Sequence, residues 1–370
     1  MRRALELAEC GRGFTSPNPV VGAVVVKGGR IAGEGFHERY GGPHAEVNAI
    51  GAAGADARGA TLYVTLEPCC VWGNTPPCTE AILGAGVSRV VVAIEDPNPD
   101  VSGRGVAELA RGGVRVETGL LGDEAAAANE AYVKFRATGL PLVVLKMALT
   151  LDGKVGAPPG APRWISCDDS RARAHEMRGA ADCVMTGVGT VIADNPALTD
   201  RRPGERRRQP ARLVVDSALR IPVGSALVTG ARDARTIVAC AEDAPDDRRR
   251  ALEDLGVAVW GCRTAGGRLD LEDVLGRAAG SGMTSILCEG GPALATSLLR
   301  QHLVDRVAFF IAPALFGSDG IQAFGPLGRP WWTRSVGLTD VRWTQVGCDL
   351  LLEARVDGAA RRRATCSRAS

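Results

Sequence analysis

His44, Cys69 and Cys78 each stand where a predicted strand or turn gives way to another element, and this placement constrains the fold more than any other feature. His44 lies in "GPHAEVNAI", near the start of a helix opened by Pro43 and closed by glycines. Cys69 follows Pro68 at the end of the strand "ATLYVTLEP", and Cys78 falls in the first turn of "PPCTEAILGAG", a helix begun by proline and ended by glycine. Helix N-termini stabilise thiolates, the form that binds metal. One histidine and two cysteines give Zn²⁺ three protein ligands and leave a fourth position for water, as in catalytic rather than structural sites. Three buried thiols and a surface histidine would explain any one of these residues, but not the set. Cys70 could add a ligand, but two adjacent residues share a tetrahedral ion only under strain. Cys69 is therefore the expected ligand and Cys70 a small buried residue. Glu46, two residues after His44, is placed to carry the proton of the water.

The rest of the chain reads as α/β throughout. Before residue 140 the order is helix "ALELAECG", strand "VVGAVVVKGG", the elements above, strand "VSRVVVAIEDPNP", helix "AELARGG", strand "VRVETG" and helix "DEAAAANEAYVKFRATG". A second series runs "LPLVVLKMALTLDG", "ADCVMTGVGT", "ARLVVDS", "RTIVACA", "VAVWGC", "TSILCEGGP", "RVAFFIAPALFG" and "DLLLEARV". With 370 residues, two domains are expected, at 1–140 and 141–357, with a basic, disordered tail at 358–370. A net charge of +2 leaves no footprint for nucleic acid, and the arginine triplets ending at Arg208, Arg250 and Arg363 read as solvated charge. No apolar run approaches the ~18 residues of a membrane span, and no signal peptide is visible, so no membrane partner and a cytoplasmic location are expected. The eleven irregularly spaced cysteines then read as thiols or ligands rather than disulfides.

The H-x-E…P-C-x-x-C order belongs to zinc nucleobase deaminases, but here the second cysteine comes nine positions after the first, not three. "SPNPVVGAVVV", "GEGFHERYGGPHAEVNA", "YVTLEPC", "TPPC" and "EDPNP" resemble the bifunctional deaminase–reductase of riboflavin biosynthesis, for which this cysteine spacing is distinctive. "LKMALTLDGKVG", "RWIS", "GVGTVIADNPALT", "LVVDS", "CEGGPALATSLL" and "VDRVAFFIAPALFG" resemble the same family's reductase half. The resemblance implies a cytidine-deaminase-like α/β/α domain followed by a dihydrofolate-reductase-like α/β domain. A Rossmann domain is disfavoured, because Ile192 stands where G-x-G-x-x-G needs its third glycine. A Gly-Gly turn opening a helix, as in "CEGGPALATSLL", suits a phosphate.

The resemblance further implies zinc on His44, Cys69 and Cys78, with Glu46 as proton carrier and Asn18 and His37 holding substrate. In the second half, Ala148, Trp164, Thr190, Asp194, Ser217, Gly290 and Gly291 would line an NADPH site. Lys146, Arg178, Leu198, Arg201 and Glu289 would face a phosphorylated substrate, for which cationic partners make chemical sense. The implied reactions are deamination of 2,5-diamino-6-(5-phosphoribosylamino)pyrimidin-4-one, then reduction of its ribosyl group to ribityl, giving 5-amino-6-(5-phosphoribitylamino)uracil. A homo-oligomer is the expected assembly. Three positions depart from the family's usual residues: Val71 for histidine, Asn74 for lysine or arginine, and Pro162 for a small polar residue. The altered loop motivates a second reading, a related enzyme acting on another pyrimidine. A non-catalytic zinc scaffold is a third, against which the retained Glu46 argues.

Overall fold

The computed structural model describes residues 1–156, 164–202, 208–328 and 335–357. The chain divides into two compact units, Met1–Gly139 and the part from Leu140 onward. The expected tail and Pro162 lie outside the described residues.

The first unit runs α1 (Arg2–Cys10), β1 (Gly22–Lys27), β2 (Arg30–Phe36), α2 (Ala45–Ala53), β3 (Thr61–Val64), α3 (Cys78–Ala85), β4 (Arg89–Val92), α4 (Arg104–Arg111), β5 (Arg115–Thr118), α5 (Gly122–Ala128) and α6 (Glu130–Thr138). Its sheet has the order β2-β1-β3-β4-β5. β1 pairs antiparallel with β2 and β3, and β3, β4 and β5 are parallel. Period-two alternation sorts the side chains of β1 onto two faces. Ala23 and Val25 pack with Ala45 and Ala49 of α2, whereas Val24 packs with Ala4 and Leu7 of α1. The sheet is thus covered on both faces.

Two points differ from the sequence reading. β2 carries Gly33 and Gly35, which weaken its strand signal. The segment expected as one helix after Asp123 breaks at Asn129. That side chain is buried and exchanges two hydrogen bonds with the Val20 backbone, each 2.9 Å, so tertiary pairing overrides helix continuity.

The second unit runs β6 (Leu142–Thr150), β7 (Lys154–Gly156), α7 (Asp168–Ala180), β8 (Cys183–Gly187), α8 (Val188–Asp194), β9 (Ala211–Val215), α9 (Ala226–Thr229), β10 (Thr236–Ala241), α10 (Asp246–Asp254), β11 (Ala258–Cys262), β12 (Thr264–Ala265), β13 (Arg268–Leu269), α11 (Leu271–Gly280), β14 (Ser285–Cys288), α12 (Pro292–Arg300), β15 (Arg306–Ala312), β16 (Ile321–Gln322), β17 (Leu338–Val346) and β18 (Asp349–Val356). Nine strands form one sheet in the order β11-β10-β9-β8-β14-β6-β15-β18-β17. It is parallel from β11 to β15 and antiparallel at β18 and β17.

Alternation again divides the cores. Cys183, Met185, Leu213, Ile237 and Leu145 face one core, and Val184, Val214 and Val238 face the other. Lys146 and Ala148 alternate with the core residues Leu145, Met147 and Leu149 of β6, so they lie on the strand's other face. All eight expected strands of this unit are present. The hairpin strand β17 has no buried face, hence no alternation to read.

Candidate active sites

In the first unit, the end of β3, the start of α2 and the start of α3 converge. His44 caps α2 in extended backbone geometry, and Cys78 is the first residue of α3. His44 Nδ1 lies 3.2 Å from Cys78 Sγ and 3.5 Å from Cys69 Sγ. The backbone N–H of Cys78 donates to Cys69 Sγ at 3.3 Å, as expected of a helix start facing a thiolate. All three donor atoms lie within 4.8 Å of one another. One borderline nitrogen and two soft sulfurs, so gathered, fit Zn²⁺ with a position left open. Cys70 contributes no atom to the cluster; it is half-buried, less enclosed than expected.

The Cys69 thiol is held down to about 4, first by the Cys78 hydrogen bond and then by His44 against the opposing effect of burial. Cys78 is pushed well up by the same pairing and by burial. Thr75 Oγ1 lies 3.4 Å from His44 Nε2, a contact that orients the ring from its far side. Glu46 is 3% exposed, and burial, with the Cys69 charge behind it, lifts its carboxyl to about 7.

A cavity of about 390 Å³ opens over this cluster. Asn18, His37, His44, Glu46 and Cys69 line it together, so these sequence-derived residues share one wall system. His37 is buried, and desolvation lowers its pKa and favours the neutral ring. Its Nδ1 lies 3.0 Å from the Pro43 carbonyl, and Nε2 lies 3.1 Å from Asn18 Nδ2. The assigned tautomer therefore donates from Nδ1 and accepts the Asn18 amide at Nε2. Val71 and Asn74, the departures in the loop, also line the cavity.

Sequence reasoning missed four further lining residues, Glu67, Asp96, Asn98 and Tyr132. The Glu67 carboxylate accepts backbone N–H bonds from Asp96, Gly103 and Val106 at 3.0 to 3.1 Å, holding the loop after β4. Tyr132 Oη donates to Asp96 Oδ1 at 3.0 Å, and burial raises the Asp96 carboxyl. "EDPNP" offered a signal for Asp96 and Asn98. Tyr132, inside a helix far along the chain, offered none.

In the second unit, selected residues gather at the carboxyl ends of parallel strands, where open α/β sheets bind ligands. Glu289 follows β14 with its side chain 10% exposed, and its carboxylate meets Arg178 through Nε and Nη2 and Lys146 Nζ at 3.4 Å. Burial alone would raise this carboxyl, but Lys146 and Arg178 outweigh it and hold it at about 2. Lys146 Nζ also stands 5.5 Å above the centre of the Phe310 ring. The Gly291 N–H donates to Thr190 Oγ1 at 3.0 Å, joining the turn after β14 to the first turn of α8. A Cβ at Gly290 would meet Leu294 Cδ2 at 2.9 Å, so a larger residue there would require the Leu294 side chain of α12 to shift. The resulting bare-backbone cradle at a helix N-terminus fits the phosphates of a dinucleotide.

Ala148 is half-buried on the Lys146 face of β6, Ser217 follows β9, and Asp194 is an exposed residue at the end of α8. Trp164 is exposed with Arg171 5.2 Å over its ring. Two expected substrate residues sit differently from the rest. Arg201 is exposed, its N–H donating to His175 Nδ1. Leu198 is 4% exposed, with its side chain in the second core and φ at +53°, which leaves its backbone rather than its side chain to meet a ligand.

Comparison with known proteins agrees with both halves. The RibD C-terminal domain matches residues 141–352, and the cytidine and deoxycytidylate deaminase zinc-binding region matches residues 1–94. The riboflavin biosynthesis protein RibD of Actinobacillus pleuropneumoniae is 43% identical, covering 89% of this chain and 86% of its own. That of Aquifex aeolicus is 42% identical over 95% of this chain and 96% of its own. The chain belongs to the RibD family. Acinetobacter baumannii RibD superposes with a TM-score of 0.86 at 35% identity, covering 96% of this chain and 97% of its own. A Thermotoga maritima protein described as diaminohydroxyphosphoribosylaminopyrimidine deaminase/5-amino-6-(5-phosphoribosylamino)uracil reductase superposes with a TM-score of 0.82 at 36% identity, with the same coverage. As a RibD, the chain is a bifunctional deaminase and reductase of riboflavin biosynthesis, with zinc and NADPH as its cofactors. Among the described residues, no helix is long and apolar enough to cross a membrane.

Proposed function

We propose that this RibD first deaminates 2,5-diamino-6-(5-phosphoribosylamino)pyrimidin-4-one and then reduces the deaminated product to 5-amino-6-(5-phosphoribitylamino)uracil. The observation that carries the reading is one cavity lined by His44 and Cys69 of the His44–Cys69–Cys78 donor cluster, by buried Glu46 and by the Asn18–His37 pair. His44, Cys69 and Cys78 would hold the zinc. Zinc in such a site supplies the Lewis acidity that makes water a nucleophile at neutral pH. Glu46 carries protons, first from the water and then to the ring nitrogen and the departing ammonia. His37, fixed by Pro43 and Asn18, presents a neutral ring, and Asn18 helps hold the pyrimidine. Asp96, Asn98 and Tyr132 complete the polar lining of the cavity.

In the second unit, Gly290, Gly291, Thr190, Asp194, Ser217, Ala148 and Trp164 border the NADPH site. Lys146 and Arg178, kept in place by Glu289, offer cationic donors to the phosphorylated sugar, with Arg201 and the Leu198 backbone alongside. NADPH supplies the hydride for ring opening; the protein supplies position. The enzyme works in the cytoplasm as a homo-oligomer, without nucleic acid or membrane partners.

Glu46→Gln tests the deaminase assignment. The variant should keep its zinc, read by metal analysis of the purified protein, and lose ammonia release by at least about 10²-fold. Full activity in a zinc-loaded Glu46→Gln protein would remove Glu46 from its role.

A further inference from the structure

Outside both sites, the described residues bring together a second group of sulfur and oxygen donors: Cys167, Cys348 and Asp349. Cys167 is the N-cap of α7, and Cys348 sits in the tight turn between β17 and β18, where Val346 pairs directly with Asp349. The two elements are locked against each other. The Cys167 N–H donates to Asp349 Oδ2 at 2.8 Å, and the Cys167 thiol donates to the Val346 carbonyl at 3.3 Å. Gly347 has φ +59°, and a Cβ there would lie 2.9 Å from Cys167 Sγ, so the turn is shaped to admit that sulfur. The two sulfurs lie within 4.8 Å of each other, one half-buried and one exposed.

We propose that Cys167 and Cys348 form a reversible disulfide, made by peroxide, that fastens the start of α7 to the β17–β18 hairpin. Both thiols are close, and neither belongs to the zinc cluster or the reductase site. The roles divide by environment. Desolvation and the Asp349 carboxylate oppose ionisation of Cys167, but the Ser170 hydroxyl, 3.5 Å from its Sγ, and the N–H groups of the helix start and of the hairpin turn outweigh them and lower its pKa. Cys348 is pushed the other way, by desolvation and by the Cys167 sulfur beside it. A metal ion is the poorer occupant. Its third ligand would be Asp349, the immediate neighbour of Cys348, whose buried carboxylate already accepts the Cys167 N–H.

The chemistry closes with hydrogen peroxide as the oxidant. The Cys167 thiolate attacks one peroxide oxygen and the O–O bond breaks. The leaving hydroxide takes a proton to become water, and Cys167 becomes a sulfenic acid. The Cys348 sulfur then attacks the sulfenic sulfur, the S–O bond breaks, and a second water leaves with the thiol proton. Two thiols lose two electrons and two protons, and one peroxide becomes two waters. A reducing thiol reverses the bond by exchange. Such a transient bond suits a reducing compartment.

The test uses the full-length, zinc-loaded chain, first reduced and then titrated with hydrogen peroxide. Remaining thiols are alkylated and tryptic peptides weighed. "WISCDDSR" and "WTQVGCDLLLEAR" each carry one cysteine. The expected result is one linked species of these two peptides, lost on treatment with dithiothreitol. In Cys348→Ser, Cys167 should instead be trapped by dimedone as the sulfenic acid. The proposal is overturned if both peptides return fully alkylated at peroxide levels that oxidise exposed Cys10. A second metal ion per chain, released by Cys348→Ser, would overturn it equally and make the cluster a metal site.

Discussion

Cys69 and Cys70 are neighbours with the same chemistry and different surroundings. Cys69 meets a histidine nitrogen and a helix-start N–H, whereas Cys70 lies half-buried near Arg104 and Glu108, where burial raises its thiol pKa. Cys69→Ser should therefore lose zinc on gel filtration with a mild chelator, and Cys70→Ser should keep it; the reverse result would exchange the ligands. Glu289 governs the other site by a different balance. Its carboxyl is held at about 2, below the 4.5 of an unfolded glutamate. A depressed folded value gives stability that is present above the unfolded pKa and lost as pH falls toward the folded one. Glu289→Gln leaves Lys146 and Arg178 without their buried anion, which should cost on the order of 3 kcal/mol near neutral pH. Urea unfolding at pH 7 and pH 3 checks this. The gap between the proteins should narrow at pH 3, and an equal gap at both would show that packing, not charge, is lost.

Elements deliver these residues through close backbone approach. Helix α2 carries Glu46 and is capped by His44, and it can lie on β2 only because Gly33 and Gly35 lack side chains. A Cβ at Gly33 would come 2.3 Å from the Ala49 carbonyl oxygen and 2.5 Å from the Ala53 nitrogen, both backbone atoms that cannot step aside. Gly33→Ala should force α2 off the sheet, destabilising the protein by about 1–3 kcal/mol and lowering zinc occupancy. Gly51→Ala on the same helix meets nothing within 4 Å and is the control. It should keep zinc and gain about 0.5–1 kcal/mol in stability. Thermal midpoint and zinc content, read together, separate the two; a Gly33→Ala protein with full zinc would contradict the packing argument. The same glycines explain why β2 escaped the sequence: what the helix requires of the strand erases the strand's own signal. β17 escaped because all but one of its residues are exposed. The break at Asn129 escaped because its cause, Val20, lies far away in the chain. Strands with a buried alternating face and helices bounded by Pro and Gly were legible, because those signals are local.

Across the whole molecule, the two chemistries occupy separate sheets. The proposed zinc cluster was legible because His44, Cys69 and Cys78 mark junctions of elements, and the glycine cradle because Gly290–Gly291 opens a helix. The other polar residues lining the cavity were not, since Glu67, Asp96 and Tyr132 act through long-range hydrogen bonds. The pairing of Glu289 with Lys146 and Arg178 likewise joins three distant segments, which family resemblance grouped but no local pattern could. With zinc chemistry in one unit and nucleotide chemistry in the other, the first reaction should need no NADPH. The most direct test follows substrate turnover by the zinc-loaded full-length enzyme on 2,5-diamino-6-(5-phosphoribosylamino)pyrimidin-4-one, first without and then with NADPH. The account predicts ammonia release without NADPH, then NADPH oxidation matching the ammonia already released once the cofactor is added. NADPH oxidation with no ammonia release, by protein whose zinc site is full, would contradict it.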